Sequence, residues 1–257
     1  MSRETEPKEQ DFRGLFTMHV KISCGILKRF GITLPYLYGD LFAGPGNLEF
    51  EMRRFPGSPM IAWELLNKYQ QPYEMLCFER DAAVAAVLEQ TLPTSQYGSH
   101  RVFAEECQVG FAAWLEAAES QPWRFGLIYT DPIRDEIPYE LLNQAVSKFQ
   151  RVDLLSYFSA TQYKRRRGGD QRLNGNSDRP LVSDHILAVR KKFAMIRKPH
   201  TGDAWQFSFV LWTNWDRFPV WTKAGFYRVD SPEGQAILDQ LDLTRSEYNA
   251  RGQEPLL

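Results

Sequence analysis

The chain has 257 residues, 43% hydrophobic and 25% charged, with a net charge of −1. That is an ordinary soluble composition with enough apolar material for a sizeable core, and it excludes a disordered or fibrous protein. No apolar run reaches the roughly 18–20 residues of a membrane span, and the opening "MSRETEPKEQ" is too polar for a signal peptide.

In chain order, residues 1–10 read as a disordered polar tail. Phe16, Val20, Cys24 and Leu27 then recur at near-helical spacing, so Asp11–Phe30 is expected to be an amphipathic helix ended by Gly31. A strand, "YLYGDLF", leads into the glycine turn "AGPG", and a helix follows over Ser58–Tyr69. Ser58 is expected to cap that helix, with Pro59 in its first turn. "YEMLCFER" (Tyr73–Arg80) is the second strand, and Asp81 caps the helix after it. "RVFAEE" is the third strand, with an alanine-rich helix running to about Glu119. "FGLIYTDP" (Phe125–Pro132) is the fourth strand, Pro138 starts a fourth helix, and "VDLLSYF" (Val152–Phe158) is the fifth strand.

Short apolar strands separated by helices predict an α/β fold. Its sheet is expected to be doubly wound, mostly parallel and covered on both faces. After Ser159 the rhythm breaks. The charged, glycine-rich segment 163–180 reads as a lid or substrate-binding insertion. A helix is expected near Ser183–Ile196, then a long aromatic strand over Trp205–Trp215 as half of an antiparallel pair, then a helix over Pro232–Ala250. The whole of 11–257 is expected to form one domain.

Cys24, Cys77 and Cys107 are odd in number and widely spaced, which predicts neither a disulfide framework nor a metal knuckle and points to a reducing cytoplasm. The four histidines lack ligand spacing, so no metal is expected. Cys107 reads as a small buried thiol, and His19 and Lys21 as a surface helix face. Trp205, Trp212, Trp215 and Trp221 could stack on bases but read mostly as core.

In an open α/β sheet a ligand sits beyond the carboxyl ends of the strands. Four such ends carry acids here: Asp40, Glu79, Glu105 with Glu106, and Asp131 followed by Pro132. The glycines of the turn, Gly44 and Gly46, let a backbone approach a ligand closely, with Phe42 and Ala43 leading in and Arg80 beside Glu79. No Lys-Ser or Lys-Thr follows the turn and no third glycine completes a dinucleotide fingerprint. The set suits a cationic nucleoside. Glu79 can accept from both ribose hydroxyls, Glu105 or Glu106 from an adenine amino group, and Asp40 favours a positive charge.

The order of elements resembles the class I, Rossmann-like methyltransferases that use S-adenosylmethionine (SAM). More narrowly, "DLFAGPG", "GSPMIAWE" (Gly57–Glu64), "FERD" (Phe78–Asp81) and the Asp131-Pro132 pair resemble the three-Cys-motif partner proteins over roughly residues 12–160. The resemblance implies a methyltransferase fold with SAM as cofactor, and leaves the substrate open. It departs at the fourth strand, where the family runs Asp-Pro-aromatic-Gly and this chain has Asp131-Pro132-Ile133-Arg134. Amino-group methyltransferases of nucleic acids are similar in placing a polar residue and prolines there to accept from the target amine, with an aromatic stacked on a flipped base. Asp131 and Pro132 match the acceptor part of that pattern; Ile133 supplies no flat face. Tyr129, Tyr139 and Tyr157 are the candidates to replace it.

From Arg151 to Lys198 twelve Lys and Arg stand against four Asp, a local +8. Within it, Lys164, Arg165, Arg166, Arg167 and Arg172 form a run suited to a polyanion, so DNA or RNA is the expected partner. The leading expectation is therefore a SAM-dependent methyltransferase of nucleic acid. The alternatives are an accessory module working through a three-Cys-motif protein and a methyltransferase of small molecules or proteins.

Overall fold

The computed structural model describes residues 5–132, 137–164, 182–201, 206–215 and 219–242. Contacts group the chain into two compact units. The first runs to Asp131 and resumes over Glu140–Leu154; the second holds Pro132–Tyr139 and the chain from Leu155 onward.

The first unit opens with α1, Thr5–Phe30, whose buried residues include Thr5, Glu9, Phe12, Phe16, His19 and Ser23. These recur every three or four residues and form one stripe, as a helix on a sheet requires. The helix therefore starts at Thr5, which corrects the reading of residues 1–10 as a tail from that point on. Thr5 and Glu9 extend the stripe upstream of Phe12, but they are polar and invisible to a hydrophobic pattern. At the other end Gly31, with φ +62°, supplies the left-handed stop.

The elements that follow are β1 (Tyr36–Asp40), β2 (Asn47–Phe50), β3 (Arg53–Pro56), α2 (Ser58–Lys68), β4 (Tyr73–Phe78), α3 (Ala82–Thr91) and β5 (Gly98–Phe103). Then come α4 (Cys107–Ala117), β6 (Gly126–Thr130), α5 (Tyr139–Lys148) and β7 (Val152–Ser159), whose residues from Leu155 on belong to the second unit. The strand order is β7-β6-β1-β4-β5. β1 is parallel to both β4 and β6, and β4 is parallel to β5. The register puts Tyr38 level with Met75 and Leu127, on the face where Phe16 of α1 meets Tyr38 and Phe12 meets Tyr129. On the opposite face Phe78 stacks on Phe103 and meets Phe111 of α4. Helices cover both faces, so β1 and β6 are buried throughout and β4 at every residue but Glu74, which is why these three read as apolar runs.

The chain winds outward through β1, β4 and β5, then crosses back to place β6 on the other side of β1. That reversal sets the switch point between β1 and β6, where a doubly wound sheet opens a crevice.

Two local expectations are corrected. The glycine turn does not run straight into a helix but first forms the antiparallel hairpin β2–β3. Its turn residues Glu51 and Met52 take φ of +48° and +61° without glycine or asparagine, so the usual turn signal is missing. Ser58 is the first helical residue and Gly57 holds the cap position, with no side-chain cap bond. Asp81 does cap α3, accepting from the Ala83 and Val84 N–H groups at 2.9 and 3.2 Å.

In the second unit lie α6 (Val182–Leu187), β8 (Phe193–Arg197), β9 (His200–Thr201), β10 (Gln206–Thr213), α7 (Pro219–Lys223), β11 (Phe226–Arg228) and α8 (Pro232–Asp242). The aromatic strand β10 pairs antiparallel with β8, as expected, and β8 pairs antiparallel with β11. The helix expected over Ser183–Ile196 ends at Leu187, because Phe193–Arg197 is claimed by strand partners on both sides; tertiary pairing overrides local preference there. Trp212 and Trp221 are fully buried, and Trp212 donates its indole N–H to the Ile186 carbonyl at 2.8 Å. Among the described residues no helix is long and apolar enough to cross a membrane.

Candidate functional site

Asp40 ends β1 in complete burial. It accepts from the Tyr38 hydroxyl at 2.8 Å, from the Phe42 N–H at 3.3 Å, and from Ser58. The Ser58 hydroxyl is thus turned to Asp40 instead of the α2 backbone. Burial, and secondarily the charge of Asp131, push the Asp40 carboxyl up to about 6, although these three hydrogen bonds pull the other way.

The glycine turn comes next, with Gly44 at φ +62° and Gly46 at φ +81°. The two glycines do different work. A Cβ on Gly46 would strike Leu88 Cδ1 of α3 at 2.8 Å, so Gly46 allows close helix packing. A Cβ on Gly44 would meet no atom within 4 Å, so Gly44 provides the backbone conformation and leaves open space before it. Ala43 is buried and its N–H bonds to the Phe78 carbonyl at 3.0 Å, tying the turn to the end of β4; Phe42 is half-buried.

Glu79, just past β4, holds this turn. One carboxylate oxygen accepts the Gly44 N–H and the other the Asp81 N–H, each at 3.0 Å. A carboxylate has about four lone-pair positions, so two remain for a ligand. Arg80 beside it is exposed. Glu105 and Glu106 lie exposed beyond β5, which stops at Phe103. Glu106 takes the α4 cap position without a side-chain bond, and Glu105 folds against Gly110.

Asp131 follows β6 and is buried, as is Pro132. Its carboxylate pairs with the Lys8 ammonium, which also lies 3.4 Å from Glu9 Oε1. Burial would lower the Lys8 pKa, but Asp131 and Glu9 more than offset it, and the ammonium is held well above its ordinary value. Burial pushes the Glu9 carboxyl up to about 7, with Asp131 and Asp40 adding repulsion and Lys8 opposing. Glu9 Oε2 is buried and has no hydrogen-bond partner among the described residues. Among the described residues, three acids and one cation therefore meet at the switch point. Sequence reasoning missed Lys8 and Glu9 altogether; the only signal was that "EPKEQ" continues the spacing of the α1 stripe.

Other candidates fall elsewhere. His19, read as a surface residue, is buried in the core, 3.2 Å from Asp153 and 2.8 Å from the Tyr36 hydroxyl. Cys107 is a buried thiol, as read, and donates to Gln108 Oε1 at 3.2 Å. Tyr129 and Tyr157 are buried against Phe12 and Phe207, so neither offers a face for a base; Tyr139 is half-buried. Lys164 is anchored in the second unit, donating to Gln206 Oε1 at 2.8 Å. Arg165, Arg166, Arg167 and Arg172 lie outside the described residues. No cluster of His, Cys, Asp and Glu among the described residues is arranged to hold a metal.

No family model and no curated protein matches the chain, so the likeness to three-Cys-motif partner proteins rests on its motifs. Solved structures do match. Protein LPL1258 from Legionella pneumophila, of family DUF519, is 15% identical, with a TM-score of 0.53 over 83% of this chain and 89% of that one. The fold is Rossmann-like. Weaker matches include a SAM-dependent methyltransferase from Anabaena variabilis, 13% identical with a TM-score of 0.39 over 83% of this chain and 96% of that one. A DUF574 family protein from Streptomyces avermitilis is 12% identical, with a TM-score of 0.43 over 79% and 83% of the two chains. At these identities the likeness concerns the fold alone.

Proposed function

We propose that the protein is a SAM-dependent methyltransferase acting on nucleic acid, with an exocyclic adenine nitrogen as acceptor. The observation that carries this reading is the Glu79 carboxylate bonded to the Gly44 N–H, with open space before Gly44 at the carboxyl end of the sheet. Glu79 keeps acceptor capacity for a pair of ribose hydroxyls, and Gly44 allows the backbone to approach. Asp40 and Asp131 place negative charge where a cationic ligand is favoured. Exposed Glu105 and Glu106 can receive an adenine amino group. The residues fit the cofactor, which when bound supplies an electrophilic methyl group on a cationic sulfur.

The remaining work belongs to the chain. Asp131 accepts a hydrogen bond from the acceptor amine, turning its lone pair outward, and orientation of that nitrogen does most of the catalysis. Support for a nucleic acid comes from the local +8 between Arg151 and Lys198, which suits phosphate. The test is to incubate the protein with tritiated SAM and separate pools of DNA, RNA and protein. Label in nucleic acid is expected. Label in the protein pool alone would reassign the substrate, and SAM binding without label anywhere would favour the accessory-module reading.

A further inference from the structure

We propose that Lys8 is an internal counter-cation, a latch that holds the switch-point acids until the cationic cofactor displaces it; this rests on the SAM reading above. The Lys8 ammonium pairs with Asp131 and lies 3.4 Å from Glu9, and both acids interact electrostatically with Asp40. All four groups belong to the first unit, and all lie at or against the carboxyl ends of β1 and β6.

The charge count among the described residues makes Lys8 a stand-in. There, three carboxyl groups share one cation, and Glu9 Oε2 is buried without a hydrogen-bond partner. Buried acids need a compensating positive charge. Without a ligand the chain supplies it from the first turns of α1. A bound sulfonium brings a second cation to the same acids, and two like charges in one low-dielectric pocket repel.

The latch can move. It sits in the first turns of α1, where helix ends fray, and among the described residues those turns also carry the exposed Glu6–Arg53 contact at 3.3 Å. Arg53 belongs to β3, in the hairpin that leaves the glycine turn, so displacement of the first turns of α1 is registered beside the cofactor loop. Lys8 is a specificity residue acting through charge. It sets how strongly the site distinguishes SAM from its demethylated product, S-adenosylhomocysteine (SAH), whose sulfur is neutral.

Calorimetry with SAM and SAH on the full chain reads that distinction. Lys8→Gln removes the competing charge and is expected to raise the ratio of SAM to SAH affinity by about tenfold over wild type, whereas Lys8→Arg leaves the ratio unchanged. An unchanged ratio in Lys8→Gln overturns the latch while leaving the cofactor reading intact. Wild-type protein that binds neither ligand overturns the cofactor reading itself. If Lys8→Gln does not fold, hydrogen exchange of wild type decides: faster exchange over residues 5–10 with SAM than with SAH supports the latch, and equal exchange rejects it.

Discussion

Glu9→Gln is the perturbation whose magnitude the structure sets most directly. The Glu9 carboxyl is raised from an ordinary 4.5 to about 7, mainly by burial on the α1 stripe. An acid whose folded pKa exceeds its unfolded value binds its proton more tightly when folded. Its contribution is therefore most favourable below pH 4.5 and is lost as pH rises from about 4.5 to 7. At about 1.4 kcal/mol per pKa unit, ionised Glu9 costs the ligand-free protein on the order of 3 kcal/mol at pH 8. Gln keeps the shape and removes the charge. The variant is expected to match wild type near pH 4 and to exceed it by up to about 3 kcal/mol at pH 8. For a chain of this size that is roughly 6–12 °C in Tm. Urea denaturation of both proteins from pH 4 to 8 is the assay. The difference between the two curves isolates Glu9 from every other titrating group. Parallel curves, or a Gln variant less stable than wild type at pH 8, would refute the buried-charge reasoning.

Gly44→Val should abolish SAM binding through its φ of +62° and the space a side chain would fill, at a stability cost of about 1–3 kcal/mol by denaturant titration. Asp131→Ala should lower methyl transfer far more than SAM affinity, which falls only by the loss of one switch-point acid, because the contact to the acceptor amine is made mainly in the transition state; equal loss of both would make Asp131 a cofactor or fold residue. Replacing Arg165, Arg166 and Arg167 together by Ala should weaken binding to every duplex tested and flatten the log–log salt slope by roughly 2–3 units, with SAM affinity unchanged. An unchanged slope would return the run to a solvated loop.

The sheet was legible because β1, β4 and β6 are apolar runs packed between helices, with a helix in each crossover from one to the next. The positions of the glycine turn, Glu79 and Asp131 were legible because each follows directly on an apolar run that forms a strand. Three features were hidden, each for a physical reason. The start of α1 is written in polar residues, Thr5 and Glu9, which are buried although no hydrophobic pattern marks them; Glu9 interacts there with Lys8, Asp131 and Asp40. The β2–β3 hairpin turns on Glu51 and Met52, which break the composition rule for their backbone angles. β8 owes its strand to partners distant in sequence. The roles of Ser58 and His19 were misread for a related reason, since a hydroxyl or imidazole does not announce which buried partner it will face.

The central claim is that the crevice between β1 and β6 takes a cationic nucleoside. Isothermal titration of purified wild type with SAM tests it most directly, with Glu79→Ala as control. The expected result is binding near 1:1, weakened by roughly 1.5–3 kcal/mol when the Glu79 carboxylate is removed. No heat of binding with the wild type, under conditions where its fold is intact by circular dichroism, would contradict the account.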